Sequence, residues 1–274
     1  MSGNQFETPS IREESITSLS KKLLAVTEQL TQSNQELQQL QKERADMLAN
    51  LSHDLRAPVT AIRGAVDYLL ADGDCSAEER NSVLHMIDRR TKALENLIND
   101  MYDLFCVETS DRGFPTQQVA AAPFLEEYFY STILDSRYDS HQMNLELPSS
   151  VTGSICINVQ KMIRVLDNLM TNAAKYSDPN SPITLKAAQD ENYLTVSVID
   201  KGMGIPQDAL DKVFSRTYTV CSARTPNSAT GSGLGLSIAK AITEKHQGTL
   251  RCESILGEGS TFILTLPLTS SQSL

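Results

Sequence analysis

The sequence predicts a helical N-terminal half, in which a coiled coil and a helical hairpin form a dimeric four-helix bundle, followed by an α/β two-layer domain. Three observations predict this fold. Apolar residues recur every three or four positions from Ile16 to Leu51. Ser76 followed by Glu79 is a capping box that begins a second amphipathic helix. Beyond Pro123, helical patterns alternate with short strand patterns. The 274 residues are therefore expected to form two structural units.

The first apolar repeat has the form of a coiled-coil seam. Polar and charged residues fill the positions between its apolar ones, and only Ser33 and Arg44 interrupt it. The narrow stripe is typical of a two-stranded parallel coil, whereas one helix packed on a globular core shows a broader apolar face. We therefore predict a disordered N-terminus over residues 1–15, a coiled coil over residues 16–50, and a homodimer.

The register of this seam changes beside a proline. Met47, Leu51 and Leu55 are spaced four and four apart, a shift that locally unwinds a coiled coil. Pro58 lacks the N–H that would pair with the carbonyl of Asp54, which favours a bend in the same turn. The sequence therefore predicts a distorted helix just before this proline.

Two amphipathic helices predict a hairpin over residues 51–108, and two such hairpins bury their apolar stripes as a four-helix bundle. Residues 109–122 contain a glycine, a proline and an alanine run, which are typical of a linker. The α/β domain is expected over residues 123–268, with a tail over residues 269–274. Its predicted helices cover residues 124–136, 160–174 and 234–246, and its predicted strands cover residues 183–187, 194–199, 249–252 and 261–266.

Composition and charge exclude several classes of protein. The net charge is −10, from 24 Lys and Arg against 34 Asp and Glu, so nucleic acid and anionic membrane surfaces would be repelled. The chain has no run of the roughly 20 apolar residues that span a bilayer, and no leader is recognisable. The five cysteines are widely spaced in the sequence and form no CxxC pair. This spacing favours reduced thiols over a disulfide framework or a zinc site.

Asp200 ends a predicted strand and is followed by Gly202 and Gly204, where the chain must turn. A carboxylate at this point can accept a hydrogen bond from the exocyclic amino group of a base. Glycine lets the backbone approach a flat ligand closely, because it has no Cβ. A plain strand-to-loop turn explains this motif equally well when it stands alone.

A second glycine motif opens a helix. Gly231, Gly233 and Gly235 are spaced by two, and free N–H groups at a helix N-terminus bind phosphate. The motif lacks the preceding strand and the acidic residue about 20 positions later that mark a dinucleotide-binding site. The long loop between Gly204 and Gly231 has the composition of a mobile lid.

A helix with polar residues on one face precedes both glycine motifs. Asn168 and Asn172 are four positions apart and share this face, with Lys175 nearly on it. An amide oxygen suits a Mg²⁺ ion that keeps its waters and its nucleotide phosphates, and lysine supplies positive charge for phosphate. Solvated surface residues would explain this segment if it stood alone.

Together these segments resemble the N, G1 and G2 boxes of the ATP-binding domain of histidine kinases, in the same order and with similar spacing. Residues 257–262 resemble the family's last glycine box. Residues 214–218 resemble its F box, although Ser215 and Thr217 depart from the commoner residues. The resemblance implies a Bergerat-type α/β sandwich that binds ATP and Mg²⁺.

The resemblance also implies a role for individual residues of these boxes. Asn172 would hold Mg²⁺ with Asn168 in support, Asp200 would read the adenine amino group, and Tyr176 would pack near the base. Further contacts with the nucleotide are implied for Lys175, Gly202, Gly204, Arg216, Gly231, Gly233, Leu234, Gly235 and Thr261.

Residues 51–58 resemble the H box of the family's dimerisation and phosphotransfer domain. A neutral imidazole nitrogen of His53 is the required nucleophile, and Asp54 can hold the other N–H and fix the tautomer. The resemblance implies that ATP phosphorylates His53 and that the phosphoryl group passes to an aspartate of a response regulator receiver domain. Ala57 stands where many members carry Thr or Asn, so weak phosphatase activity is expected.

Two other classes of protein share part of this pattern. A gyrase-like ATPase or an anti-sigma serine kinase shares the ATP-binding fold but needs no H box around His53. A scaffold with a vestigial nucleotide site would not need the polar residues of the boxes. No sensor domain is recognisable before Ile16, which leaves room for an upstream sensor domain or sensor protein. We expect a cytoplasmic chain, or the cytoplasmic portion of a longer or membrane-bound sensor.

Overall fold

The structure is a computed structural model that describes residues 10–71, 76–109, 115–215 and 233–269. Within these ranges, no helix has the length and apolar character needed to cross a bilayer. The helices are α1 (Ser10–Leu70), α2 (Ala77–Thr109), α3 (Ala121–Thr132), α4 (Val159–Tyr176) and α5 (Gly235–Lys245). The strands are β1 (Gln117–Ala120), β2 (Gln142–Glu146), β3 (Ser154–Ile157), β4 (Pro182–Gln189), β5 (Tyr193–Ile199), β6 (Thr249–Ile255) and β7 (Gly259–Pro267).

The chain divides into two compact units, Met1–His53 and Asp54–Leu274. The first consists of the N-terminal part of α1, and its apolar seam is exposed in the single chain: Leu19 and Leu30 expose 71% and 62% of their surface. Helices gain most of their stability by packing an apolar face, and the exposed stripe supports the expected coiled coil. α1 starts at Ser10, ahead of the predicted coiled coil, because the intervening residues include Arg and Glu, which favour helix.

Both helices of the predicted hairpin are present, as the C-terminal part of α1 and as α2. The capping box is confirmed: Ser76 Oγ accepts the N–H of Glu79 at 3.2 Å, and the Glu79 carboxylate accepts the N–H of Ser76 at 3.0 Å. The backbone N–H and the hydroxyl of Ser76, which both donate to the Glu79 carboxylate, lower the pKa of Glu79. α1 continues through Pro58. Apolar residues exposed along the hairpin include Val59, Val66, Leu70, Leu84, Ile98, Met101 and Phe105.

A five-stranded sheet in the order β2-β4-β5-β7-β6 forms one layer of the α/β domain. β2 pairs with β4 in parallel, and the other neighbours are antiparallel. Along β5, Leu194, Val196 and Val198 are buried while the residues between them are partly exposed, so one face of the sheet carries the core. The four predicted strands correspond to β4, β5, β6 and β7.

Helices α4 and α5 form the other layer, in contact with each other and with strands β4, β5 and β6. Asn158 caps α4, because its Oδ1 accepts the N–H of Lys161 at 3.1 Å. The predicted two-layer α/β arrangement is therefore confirmed. The buried residues of α4 are Met162, Val165, Leu166, Leu169, Met170 and Ala173.

The segment predicted as a linker contains secondary structure. Residues 117–120 form β1, which pairs antiparallel with β3, and α3 already begins at Ala121. The sequence gives no sign of β1 because a four-residue strand with two glutamines shows no clear alternation. Residues 110–114 lie outside the described ranges.

Candidate functional site

Asp200 lies at the end of β5 and is almost completely buried, with 5% of its surface exposed. Its Oδ1 accepts two backbone hydrogen bonds, from Gly202 at 2.9 Å and from Ser260 at 3.2 Å. Burial raises the pKa of this carboxyl, and the two N–H groups and Lys201 oppose the rise. Both of these hydrogen bonds go to Oδ1.

The glycines after Asp200 allow backbone segments to approach one another. A Cβ at Gly202 would overlap the carbonyl oxygen of Tyr176, and one at Gly204 would overlap that of Ile255. Gly204 also has a φ of 69°, which L side chains rarely adopt. The sequence motif predicts that these glycines admit a flat ligand, whereas in the structure each missing Cβ faces protein backbone. Their immediate role is to let the turn pack closely.

Asn168 and Asn172 lie on α4, and both are partly buried. A Cβ at Gly235 would come within 3.0 Å of Asn168 Oδ1, so this asparagine lies directly against the start of α5. Among the residues that can be described, Asn168 Nδ2 is buried and has no hydrogen-bond partner. A buried amide donor normally has an acceptor, so this atom fits a site that receives a polar ligand or water.

Lys175 and Tyr176 end α4 beside the turn that follows Asp200. The backbone N–H of Met203 donates to the carbonyl of Tyr176 at 3.1 Å, which fastens the turn to the helix. The Lys175 Nζ lies 5.0 Å from the ring centroid of Tyr176, whose side chain is 40% exposed. The predicted N-box and G1-box residues are thus brought together at one edge of the domain.

The second glycine motif is described only from Gly233 onward, and Arg216 and Gly231 lie outside the described ranges. Gly233 has a φ of 67°, and Gly235 is the first residue of α5. The side chain of Leu234 is fully buried, so a contact with a ligand would come from its backbone. The ring of Phe214, from the predicted F box, packs edge-on against Phe262 with centroids 6.4 Å apart.

Ser260 contacts Asp200 through its backbone. The backbone N–H of Ser260 binds the carboxylate, and its carbonyl accepts the N–H of Asp200 at 2.9 Å. Successive side chains of a strand point to opposite faces, so Thr261 points away from the face shared by Ser260 and the buried Phe262. The expected contact of Thr261 with the nucleotide stays a prediction.

Ser254, a buried residue of β6, is a further residue of the site that no sequence motif indicates. Its hydroxyl contacts Ile205, Gly259 and Ser260, which flank Asp200 on two sides. In the sequence, Ser254 falls on the same face of the alternating strand as the apolar residue Leu250. This alternation indicates that Ser254 is buried, but it does not indicate which residues its hydroxyl contacts.

His53 and Asp54 occupy successive positions on α1. The structure places His53 on the exposed surface of the helix, where its imidazole can be reached from outside, and Asp54 is half-buried. Ala57 is exposed one turn later. An exposed neutral imidazole can act as a nucleophile toward phosphorus.

Comparison with known proteins gives the family. Residues 43–110 match the His Kinase A (phospho-acceptor) domain, and residues 157–270 match the Histidine kinase-, DNA gyrase B-, and HSP90-like ATPase family. Sensor histidine kinase YcbM of Bacillus subtilis (strain 168) is 31% identical over 223 residues, which cover 80% of this chain and 70% of YcbM. The chain belongs to the sensor histidine kinases. The residues matched to the phospho-acceptor domain include His53.

Another sensor histidine kinase, WalK of the same organism, is 31% identical over 242 residues, or 86% of this chain. The matched region is only 39% of WalK, so the chain spans about two fifths of that relative. Among solved structures, histidine kinase ThkA in complex with response regulator protein TrrA is similar with a TM-score of 0.65 and 21% identity, covering 83% of this chain and 63% of that one. At this identity the structural likeness supports the fold.

Proposed function

We propose that this sensor histidine kinase chain uses ATP to phosphorylate its own His53 and then transfers the phosphoryl group to an aspartate of a response regulator. The observation that carries the proposal is the buried carboxylate of Asp200, held through Oδ1 by two backbone N–H groups. The remaining oxygen can accept the exocyclic amino group of adenine. Guanine presents a carbonyl oxygen at the equivalent position and would be repelled.

The residues of α4 also fit a nucleotide phosphate with a bound Mg²⁺ ion. Asn168 Nδ2 is a buried donor that lacks a partner among the described residues, and Asn172 lies one turn further along the helix. We propose that the Asn172 amide oxygen holds Mg²⁺ and that Lys175 contacts the phosphates. When bound, Mg²⁺ neutralises charge that builds up on the phosphates during transfer.

Phosphorylation requires a nucleophile and an in-line approach. A neutral imidazole nitrogen of His53 forms a bond to the γ-phosphorus of ATP as the bond to the bridging oxygen breaks, and ADP leaves with that electron pair. The carboxylate of Asp54 accepts a hydrogen bond from the other ring nitrogen, which carries the proton, and stabilises the positive charge on the ring. The chain's contribution is therefore positioning and electrostatics, as in other phosphoryl transfers.

The proposed partners are a second copy of the chain and a response regulator. The exposed apolar seam of α1 and the exposed residues of the hairpin support a homodimer, joined by a coiled coil over residues 16–50 and a bundle over residues 51–108. The similar kinase ThkA is named in a complex with a response regulator. That complex supports a receiver domain as the acceptor here.

The proposal is tested by incubating the purified chain with Mg²⁺ and γ-labelled ATP. We expect an acid-labile, alkali-stable label that passes to a receiver domain. The His53→Gln variant should take up no label, whereas His85→Gln, which changes another exposed histidine, should be labelled normally. Label that survives acid, or that persists without His53, would show that another residue is phosphorylated.

Ala57 motivates a further hypothesis within this function. The position one turn after His53 carries a methyl group, which cannot orient a water for dephosphorylation of the partner. We propose that the chain is a weak phosphatase and that Ala57→Thr raises the rate of receiver dephosphorylation. The test is the loss of label from a phosphorylated receiver domain in the presence of an excess of the unaltered chain or of the Ala57→Thr variant. A fast decay with the unaltered chain would contradict it.

A further inference from the structure

Ser254 is a junction between two segments of the nucleotide site. Its hydroxyl is 2.8 Å from the backbone N of Ile205, 2.7 Å from the carbonyl oxygen of Gly259 and 3.0 Å from the hydroxyl of Ser260. A serine hydroxyl donates once and accepts twice. Its one proton is directed to Gly259, so both Ile205 and Ser260 must donate. The hydrogen-bonding capacity of this buried group is therefore fully used.

Both segments that meet at Ser254 also hold Asp200. On one side, Ser260 donates its backbone N–H to Asp200 Oδ1 at 3.2 Å. On the other side, Gly202 donates to the same oxygen at 2.9 Å, three residues before Ile205. Ser254 lies outside both segments and has 8% of its surface exposed. It therefore fixes the spacing of the two donors that set the direction of the carboxylate.

We propose that Ser254 is a positioning residue for purine recognition, acting on Asp200 through Ser260 and the turn after Gly202. The inference rests on the proposed function, because it assumes that Asp200 accepts the amino group of adenine. A hydrogen bond to a base depends on direction as well as distance. Rotation of the Asp200 carboxylate would weaken adenine binding and reduce the discrimination against guanine.

The surrounding structure contains other links that let the fold survive without this hydroxyl. Gly257 donates its N–H to the carbonyl of Met203 at 2.8 Å, and Gln207 Nε2 donates to the Ser254 carbonyl at 3.1 Å. These bonds also join the turn to β6 and the residues after it, and they do not involve the hydroxyl. Removing the hydroxyl should therefore disturb alignment more than folding.

The test is a calorimetric titration of the full chain and its variants with ADP and with GDP. Ser254→Ala should weaken ADP binding about tenfold, the effect of one misaligned hydrogen bond to a charged group, and should lower the ratio of ADP to GDP affinity. Ser254→Thr, which keeps the hydroxyl, should recover the ratio. Ser254→Cys keeps a similar volume with a weaker donor and acceptor, and it should resemble the alanine variant.

Thr132→Val is the matched control for the loss of a buried hydroxyl. Its Oγ1 donates to the carbonyl of Tyr128 at 2.8 Å within α3 and is separate from the nucleotide residues. This variant should melt at a lower temperature with unchanged nucleotide affinities. If Ser254→Ala and Ser254→Cys, like the control, lower the melting temperature and leave both nucleotide affinities unchanged, Ser254 is only structural and the inference is overturned. If the unaltered chain binds no ADP, the proposed function itself fails.

Discussion

His246 accepts, at Nε2, a hydrogen bond from the backbone N–H of Asn158 over a distance of 3.0 Å. Its other ring nitrogen, Nδ1, lies 2.7 Å from the carbonyl oxygen of Ile242 and must donate to it. The neutral imidazole therefore joins the residue that caps α4 to the last turn of α5. Both helices carry candidate nucleotide residues, so this histidine fixes their spacing.

The buried position of His246 predicts a pH-dependent stability. Burial lowers the pKa of His246 below its ordinary value of 6.5, and the bond from Asn158 requires the unprotonated nitrogen. The unfolded chain binds the proton more readily, so this contribution to stability is present above about pH 6.5 and declines as the pH falls below it. Urea unfolding between pH 5 and 8 should show this decline, and His246→Gln should show a shallower one. Equal slopes would contradict the assignment.

Replacing Gly202 by alanine should disrupt the turn after Asp200. The added Cβ would overlap the carbonyl oxygen of Tyr176, which accepts the N–H of Met203. A clash with backbone cannot be relieved by a rotamer change, so we expect a loss of about 1–3 kcal/mol in unfolding free energy and weaker ADP binding. The comparison is Gly64→Ala in α1, where the Cβ would meet no atom within 4 Å. That variant should bind ADP normally.

Replacing Asp200 by asparagine should separate binding from stability. Burial raises the pKa of Asp200, so the ionised carboxylate destabilises the folded state at neutral pH. Asparagine removes the charge and keeps an oxygen for the N–H groups of Gly202 and Ser260. We expect an equal or higher melting temperature together with ADP binding weakened by about 10- to 100-fold. Unchanged ADP affinity, measured by calorimetry, would show that this carboxylate does not contact the base.

The sequence predicted those parts of the fold whose pattern is local and repeated. Strands β4 to β7 and helices α4 and α5 are long enough for alternation or helical periodicity to show. The capping box at Ser76 is equally local, because all its partners lie within three residues. Strands β1, β2 and β3 have four or five residues, and each depends on a partner distant in sequence. Such pairings leave little trace in a short segment.

The residues of the site that the sequence indicates are likewise those that belong to a local motif. Asp200 and the asparagines of α4 could be singled out because their residue types suit the chemistry and because their order resembles a family. The part played by Ser254 depends on contacts with Ile205 and Ser260 across the fold, which no spacing reveals. The contact between Ser260 and Asp200 is made by backbone atoms of Ser260, so no side-chain pattern indicates it. The missing information was therefore which strands and turns meet in the folded domain.

A further prediction concerns Arg164 and Asp100, which form an ion pair between α4 and α2. Arg164 Nη2 lies 2.5 Å from Asp100 Oδ1, and the side chains are 28% and 19% exposed. Partial burial makes this pair stronger than an exposed one, although solvent still screens it. The pair joins the helix that carries Asn168 and Asn172 to the second helix of the hairpin. It should therefore influence how the nucleotide domain is held against that helix.

A double-mutant cycle measures the contribution of this pair. Arg164→Asp and Asp100→Arg each bring like charges together, so each should lower the melting temperature and change the rate of His53 labelling. The double exchange restores opposite charges and should recover much of both losses, giving a coupling of about 1 kcal/mol. Lys92 and Asp88 form a matched exposed pair within α2, with side chains 69% and 56% exposed. Exchange of that pair should change neither quantity. If the losses from the two single Arg164 and Asp100 variants simply add in the double exchange, the ion pair does not couple the helices.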